Sequence, residues 1–187
     1  MGLGNPGAEY SGTRHNVGFM VVECLARRWG IPAGWKAVCS SRVGTGRFRG
    51  SPVRLAQPQR YMNLSGGAVG CLVRRFRQDP SALLVVLDDV SLPLGQLRLR
   101  GKGSAGGHLG LASVLEQLGT EAVPRLRVGI GSSAPGEKNL SGFVLSRFGS
   151  AEKKDLEKVL SEAADACETW VAGGLEAAMN RFNRKGR

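Results

Sequence analysis

The sequence predicts a single α/β domain spanning residues 1–187, in which a mixed, mostly parallel central sheet has helices on both faces. Apolar runs typical of strands alternate with segments of helical spacing, and this alternation favours an α/β sandwich. The run 82–87 is apolar throughout, as expected of a strand covered on both sides. The length of 187 residues, 42% of them apolar, suits one domain with its own core. We predict a mixed sheet because the second and third strands resemble a hairpin.

The first predicted elements are a strand end, a turn and a helix. Residues 2–7, Gly-Leu-Gly-Asn-Pro-Gly, are typical of a strand that runs into a turn, because Asn, Pro and Gly favour turn geometry. Thr13 is expected to cap the first helix. The apolar positions of this helix have helical spacing and are Val17, Met20, Val21, Cys24 and Leu25.

Strands and a second helix follow. Residues 37–57 show short β-like runs, which we expect Gly44, Gly46 and Gly50 to interrupt. Ser65 is expected to cap the second helix, since a serine oxygen can accept from a free backbone N–H there. The remaining elements are, in order, a strand ending at Asp88-Asp89, an alternating strand at 96–100, a glycine-rich loop at 101–107, a third helix, a strand at 125–130, and closing helices at about 150–172 and 174–182 that pack on the body.

The charge of the chain points to a polyanionic partner. Basic residues exceed acidic ones by 11, and residues 1–150 carry the whole excess, because residues 151–187 hold seven of each. A domain this basic attracts nucleic acid or another phosphate-rich molecule. Aromatic residues make up only 6% of the chain, which favours phosphate contacts over stacking on unpaired bases. General solubility is the alternative explanation of the charge.

The sequence does not predict a membrane-spanning or a secreted protein. The apolar runs are far shorter than the roughly 20 residues that span a bilayer, and the first residues lack the features of a secretory signal. The cysteines (Cys24, Cys39, Cys71 and Cys167) are widely scattered, so we expect no metal site and no disulfide framework, but a reduced, cytoplasmic location. No cofactor is expected. The loop 101–107 can hold a phosphate through backbone N–H groups but lacks the Gly-Lys-Ser/Thr ending of a P-loop.

Polar side chains collect where predicted strands end, which is the usual place of ligand sites in open α/β sheets. They are Asn5, Tyr61-Met62-Asn63, Asp88-Asp89 and the loop before His108, with His15 at the start of the first helix. A histidine backed by a carboxylate activates water, because the acid fixes the tautomer and stabilises the imidazolium; His15 and Asp88 supply such a pair. Asn5 and Asn63 offer amides that hold a carbonyl or a water. Each signal alone also has a structural explanation: a helix cap, a strand-end cap or a routine turn.

In their order and spacing, these segments resemble the bacterial-type peptidyl-tRNA hydrolase family over nearly the whole chain. The matching pieces are GLGNPGAEYSGTRHNVGF (2–19), QRYMNLSG (59–66), VLDDVSLPLGQLRLR (86–100), GSAGGHLGL (103–111), RLRVGIG (125–131) and NLSGFVLSRF (139–148). The resemblance implies an enzyme that hydrolyses the ester between a peptide and the 3′ end of tRNA and so recycles tRNA for translation. It also implies a cytoplasmic monomer.

The resemblance further implies roles for individual residues. His15 is expected to be the general base, with Asp88 as its orienting partner, while Asn5 and Asn63 position the substrate and water. Further substrate contacts are expected from Tyr10, Tyr61, Met62, His108 and Leu109. One phosphate at the end of the tRNA is expected to bind Arg100 and Arg127. These arginines have an alternative explanation as solvated residues of edge strands.

Two features depart from the family pattern. Leu109 stands where the family commonly has an Asn that is credited with substrate and water contacts, so we expect altered efficiency rather than an inert protein. Met1 directly precedes the first Gly, where members usually have several apolar residues, so the first strand is expected to be short.

Two other functions are alternatives. One is a noncatalytic RNA-binding relative, but RNA binding alone does not require the set Asn5, His15, Asn63 and Asp88, which is intact here. The other is a phosphorylase or peptidase, but the sequence lacks the metal ligands and the P-loop that would support it.

Overall fold

The structure, a computed structural model, describes residues 1–131 and 139–183. Its helices are α1 (Val17–Arg28), α2 (Ser65–Arg75), α3 (Leu109–Leu118), α4 (Leu140–Leu145) and α5 (Ser150–Phe182). Its strands are β1 (Lys36–Val38), β2 (Ser41–Phe48), β3 (Ser51–Pro58), β4 (Val85–Asp89), β5 (Leu97–Arg100) and β6 (Arg125–Gly129). The predicted α/β class is confirmed. Within the two described ranges, no helix has the length and apolarity needed to cross a bilayer.

The strands form two three-stranded sheets, with the orders β1-β2-β3 and β4-β6-β5. β4 and β6 are parallel, whereas the other three pairings are antiparallel. The prediction of a mostly parallel sheet is therefore wrong, although the second sheet is mixed. The short connections from β1 to β2 and from β2 to β3 produce antiparallel pairs, and residues 1–3 bond to both sheets without forming a strand. Gly2 N donates to Ala56 O at 3.0 Å, and Leu3 N donates to Val86 O at 2.9 Å.

Helices cover both faces of the second sheet. In the larger core, α1 and α5 pack against the apolar side chains of β5 and β6. In a second core, α2 and α3 pack against Leu3 and β4. Val86 belongs to the first core, while Val85 and Leu87 belong to the second, as expected of a strand whose successive side chains face opposite sides. Both faces of β4 are therefore buried, which explains its uninterrupted apolar run.

Several predicted boundaries need correction. Gly44 and Gly46 do not interrupt the chain but lie inside β2, where a Cβ would come within 2.9 Å of the Ile31 side chain. The chain turns instead at Gly50, whose φ of 82° suits the tight connection from β2 to β3. No side-chain cap is formed by Thr13, whose hydroxyl donates to Tyr10 O at 2.8 Å.

The start of α2 and the course of α5 bear on two further predictions. Ser65 is the first residue of α2 and does not cap it. The predicted division of the closing segment into two helices is confirmed, because Gly174 has a non-helical φ of 79° within α5.

The scattered cysteines predicted no disulfide framework, but the structure contains a disulfide that this reasoning missed. Cys39 and Cys71 are bonded, with an S–S distance of 2.06 Å. The turn between β1 and β2 lies beside α2 and brings the Cα atoms of these residues, 32 positions apart in the chain, to 5.6 Å. Linear spacing cannot show such a contact. A cytoplasmic location therefore no longer follows from the cysteines and stays a prediction.

Candidate active site

His15 lies on a 3-10 helix, Arg14–Asn16, that leads directly into α1. The first turn of α1 approaches the start of the chain and β4 very closely, because Gly18 has no side chain. A Cβ on Gly18 would come within 2.5 Å of the carbonyl oxygens of Leu3 and Val86. This close approach sets His15 beside the carboxyl end of β4.

Asp88 lies at that end of β4 and is almost fully buried, with 2% of its side chain exposed. Its Oδ1 is 2.8 Å from His15 Nδ1 and 3.0 Å from His108 Nε2. Burial on its own would raise the pKa of Asp88, but the hydrogen bonds from His108 and His15 outweigh it and lower the pKa to about 2. The carboxylate is therefore ionised throughout the neutral pH range.

The second nitrogen of His108 is also engaged. Its Nδ1 accepts a hydrogen bond from Leu111 N at 3.1 Å, which caps the N-terminus of α3. His108 therefore carries its proton on Nε2 and donates it to Asp88. In His15 the contact to Asp88 involves Nδ1, so a neutral His15 has its proton there and an unprotonated Nε2. An unprotonated Nε2 can accept a proton from water.

Asn5 is held in place by Asn16, the residue that follows His15. Asn5 N donates to Asn16 Oδ1, and Asn16 Nδ2 donates back to Asn5 O, both at 2.9 Å. The Asn5 side chain then accepts from Met62 N at 2.7 Å. Asn5 Oδ1 thus ties the first turn to the segment 61–63, and Asn5 is one of the residues that line the cleft.

A cleft of about 490 Å³ brings nine of the eleven predicted site residues together. These are Asn5, His15, Tyr61, Met62, Asn63, Asp88, His108, Leu109 and Arg127. Tyr10 lies just outside and meets Tyr61 edge to face, with ring centroids 6.4 Å apart. Met62 is 4% exposed, so most of its side chain belongs to the core beside α3. Arg100 does not line the cleft.

The mouth of the cleft is apolar. Five large apolar side chains of the described residues are at least 40% exposed. Four of them, Tyr61, Leu109, Leu140 and Leu145, line the cleft, whereas Leu64 does not. Leu109 is the most exposed of them, at 64%. Exposed apolar side chains gathered in one place mark a binding surface.

Arginines share one face of the β5–β6 pair. Arg98 lies opposite Arg127 and Arg100 lies opposite Arg125, so all four side chains start from the same side of the sheet. Arg127 Nε is 2.6 Å from Asp89 Oδ2, an ion pair at the cleft. Arg100 is exposed, in keeping with its place at the end of β5. Sequence reasoning missed Arg98 and Arg125, although their alternation with leucines places them on the same face.

Arg14, next to His15, was also missed. Its guanidinium makes two bonds to Glu152, at 2.8 and 2.9 Å, and one to Ile130 O at 3.0 Å. It also lies over the Phe143 and Phe148 rings, 4.6 and 4.8 Å from their centroids. Arg14 therefore fixes α4, which supplies part of the cleft wall, against the 3-10 helix that carries His15.

One group of side chains within the described residues has the composition of a metal site. One ligand atom each from His15, Asp88 and His108 lies within 4.8 Å of the others. The same nitrogens hydrogen-bond to Asp88 in the structure, so a cation there would replace both protons. The expectation that no metal is needed stays a prediction.

Known proteins of one family are similar to this chain in sequence and in overall fold. A family model described as peptidyl-tRNA hydrolase matches residues 1–187. A peptidyl-tRNA hydrolase of Synechococcus sp. (strain JA-3-3Ab) is 51% identical over 183 residues, which cover 98% of this chain and 81% of the relative. That of Chloroflexus aggregans is 50% identical, covering 98% and 97%. A crystal structure of peptidyl-tRNA hydrolase from Acinetobacter baumannii is 37% identical, with a TM-score of 0.90 and coverage of 97% and 92%.

Proposed function

The chain belongs to the peptidyl-tRNA hydrolase family, and we propose that it releases peptide from tRNA by means of a water molecule that His15 deprotonates. As a member of this family it is a carboxylic ester hydrolase that acts on peptidyl-tRNA. The observation that carries the mechanism is the 2.8 Å contact between His15 and the buried, ionised Asp88.

The reaction begins with a water beside His15. Nε2 takes a proton from this water, and the oxygen attacks the carbonyl carbon of the ester. The bond to the ribose oxygen then breaks, and that oxygen leaves with the proton from the imidazolium. Asp88 stays ionised and stabilises the imidazolium while it exists. The products are a peptide carboxylic acid and tRNA with a free hydroxyl, so all atoms of the ester and water are accounted for.

The asparagines orient the reactants. The amide of Asn5 is locked by its contacts to Asn16 and Met62, so its group at the cleft is presented in a fixed direction. Asn63 is exposed, lines the cleft and follows Met62, whose backbone N–H bonds to the Asn5 side chain. A neutral amide holds a carbonyl or a water without adding charge, and a fixed amide needs no reorganisation during the reaction.

The apolar mouth receives the peptide part of the substrate. Tyr61 and Leu109 are the most exposed apolar residues of the cleft, and Tyr10 supports Tyr61 from outside. Met62 closes the floor, with its sulfur packed against Gly110. Peptide side chains near the ester would cover these residues and lose water, which favours binding.

The arginine face of β5 and β6 receives a tRNA phosphate. Arg127 borders the cleft, and Arg100 lies on the same face farther from His15. Arg98 is directly opposite Arg127 and adds a third guanidinium. Guanidinium groups bind phosphate oxygens through paired hydrogen bonds. Because every proposed contact comes from one chain, the proposal needs only a single domain that acts as a monomer. A cytoplasmic location and a reaction without a cofactor are also part of the proposal.

Hydrolysis in ¹⁸O-labelled water tests the chemistry. Purified protein is mixed with peptidyl-tRNA under single-turnover conditions, and the released peptide is analysed by mass spectrometry. Direct attack by water places one ¹⁸O atom in the peptide carboxylate and leaves the tRNA unlabelled. A peptidyl–protein adduct recovered after rapid acid quenching would contradict the mechanism, because it would show a covalent intermediate. Binding of tRNA without any release would indicate a noncatalytic RNA-binding protein.

A further inference from the structure

Asp89 is a buried carboxylate at the cleft that the proposed hydrolysis does not use. It follows Asp88 at the end of β4 and lines the cleft, yet only 5% of its side chain is exposed. Its Oδ1 accepts two hydrogen bonds from Ser91, one from the backbone N–H at 2.9 Å and one from the hydroxyl at 2.7 Å. The carboxylate therefore has a fixed direction. A buried charge is costly unless it is paired, so the partner of Asp89 indicates its role.

The partner of Asp89 is Arg127. Asp89 Oδ2 lies 2.6 Å from Arg127 Nε, although it accepts no well-aligned hydrogen bond from the residues that the structure describes. The contact is therefore an attraction between opposite charges. Because Oδ2 is itself buried and Oδ1 is occupied by Ser91, any effect of Asp89 on a substrate passes through Arg127.

The contact at Nε holds only one end of the Arg127 guanidinium. Nε carries one of the five N–H donors of an arginine, and the two terminal nitrogens carry the other four. One of them, Nη2, lies beside the glycine-rich loop, since a Cβ on Gly106 would be 3.6 Å from it. Both Arg127 and Gly106 line the cleft. Asp89 thus fixes the inner end of the guanidinium, while the end that can form paired bonds to a phosphate lies beside a loop of the cleft.

Arg127 lies among like charges that repel it. Arg98 is directly opposite it on β5, and Arg125 lies two positions before it on β6, so the three side chains share one face. Burial is the main cause that lowers the pKa of Arg125, and repulsion from Arg127 lowers it further, against an opposing effect of Glu121. Among the ion pairs of the described residues, the pair with Asp89 is the only one that an arginine of this face makes.

We propose, on the basis of the function proposed above, that Asp89 is a positioning residue that holds the Arg127 guanidinium ready for a phosphate of peptidyl-tRNA. Two effects of Asp89 oppose each other. Its charge repels the phosphate, but its contact restricts the Arg127 side chain in advance, which reduces the freedom that is lost on binding. The second effect is the larger one, because the charge of Arg127 lies between the carboxylate and the phosphate and Arg98 lies beside it.

Replacement of Asp89 by Asn tests the sign of its effect. Asp89→Asn keeps an oxygen that can accept from Ser91 but removes the charge beside Arg127. KM for peptidyl-tRNA is expected to rise about fivefold, the order expected for one side chain that must be immobilised on binding, with kcat nearly unchanged. If Asp89 acted only through its charge, its removal would favour a polyanion and lower KM. An unchanged or lower KM would therefore overturn the positioning role.

Asp165→Asn is the matched control for net charge. It makes the same change of charge and breaks the pair between Asp165 and Arg28, whose atoms are 2.6 Å apart, but Asp165 does not line the cleft. KM of this variant is expected to change little, because charges that are far apart on the surface are screened by salt. A rise equal to that of Asp89→Asn would show a general effect of ion pairs and would exclude a specific role of Asp89.

Two further variants show whether Asp89 acts through Arg127. In the Arg127→Ala background, Asp89→Asn is expected not to raise KM again, since the group that it positions is absent. A second rise would show that Asp89 supports the fold or the substrate by another route. Ser91→Ala removes only the hydroxyl bond to Asp89 Oδ1 and is expected to raise KM by less than Asp89→Asn. This milder change keeps the test decisive if Asp89→Asn lowers Tm, and an unchanged KM in that case would refute the role.

A substrate without phosphate separates this role from the reaction itself. The probe is 3′-O-(N-acetylleucyl)adenosine, and Asp89→Asn is expected to hydrolyse it as the parent does. Equal losses on this ester and on peptidyl-tRNA would place Asp89 in the chemistry instead. A parent that releases peptide from neither substrate would refute the proposed function and this role with it. An active parent together with a parental KM of Asp89→Asn would refute the positioning role alone.

Discussion

His15 and His108 donate hydrogen bonds to the same oxygen of Asp88, at 2.8 and 3.0 Å. The two rings are not equivalent, because the remaining nitrogen of His108 already accepts the Leu111 amide. In His15 the remaining nitrogen is Nε2, and it accepts no hydrogen bond from a backbone amide of the described residues. One buried carboxylate thus holds both rings and leaves His15 free to accept a proton.

Replacement of His15 separates catalysis from folding. His15→Ala is expected to lower kcat by about 10²–10⁴-fold, the usual contribution of a general base, with Tm nearly unchanged. The matched variant His108→Ala removes the cap of α3 and is expected to cost about 1 kcal/mol of stability with a smaller loss of kcat. Peptide release and thermal unfolding measure the two effects. Turnover of His15→Ala within about threefold of the parent would contradict its role.

Asp88 links the site to stability in acid. Its pKa of about 2 lies below the ordinary 3.8, so its ionised form stabilises the fold above pH 3.8. This stabilisation is lost as the pH falls through 3.8 toward 2 and amounts to about 2 kcal/mol. The free energy of unfolding of the parent should therefore fall more between pH 5 and pH 2 than that of Asp88→Asn. Parallel curves would show that Asp88 gains nothing from its two histidines.

The arginine face predicts a response to salt. Arg100→Ala and Arg127→Ala are each expected to raise KM for peptidyl-tRNA and to reduce the slope of log KM against log salt by about one. Arg98→Ala, the residue opposite Arg127, is expected to behave in the same way. A minimal substrate that lacks the bound phosphate serves as the control, and its hydrolysis should hardly change. Equal losses on both substrates would show that the arginines act on the fold or on the chemistry instead.

Local patterns in the sequence predicted most of the elements. The apolar run before Asp88 corresponds to β4, because a strand that is buried on both faces is apolar throughout. The alternation at 97–100 corresponds to β5, because a strand that is buried on one face alternates apolar and polar residues. Glycine was misleading at Gly44 and Gly46. There it makes room for the Ile31 side chain rather than ending a strand, and such a contact with a distant residue cannot be inferred from composition.

The site was predicted as a set of residues but not as a network. Their positions near strand ends and the family motifs both predicted the pair His15 and Asp88, and the structure brings them into contact. The second hydrogen bond of Asp88, to His108, depends on how α3 lies beside β4, which no spacing in the sequence reports. The Cys39–Cys71 bond was missed for the same reason, since it joins a turn to a helix.

Leu109 tests whether the apolar mouth binds the peptide. It is 64% exposed at the start of α3 and lines the cleft, so its side chain can be covered by substrate without any change in the protein. Leu109→Asn is expected to raise KM by about tenfold for a substrate with a large apolar side chain next to the ester, since burying a leucine contributes about 1.5–3 kcal/mol. For a substrate with glycine at that position KM should change little.

Leu64→Asn is the matched control for this prediction. Leu64 is 52% exposed and adjoins Asn63 but does not line the cleft, so the same substitution there should leave both KM values unchanged. Peptide release from the two substrates is measured for each variant, together with Tm. If Leu109→Asn raised KM equally for both substrates, the residue would contact the tRNA end or the shared backbone of the peptide. An unchanged KM for both would show that the exposed leucine lies outside the bound substrate.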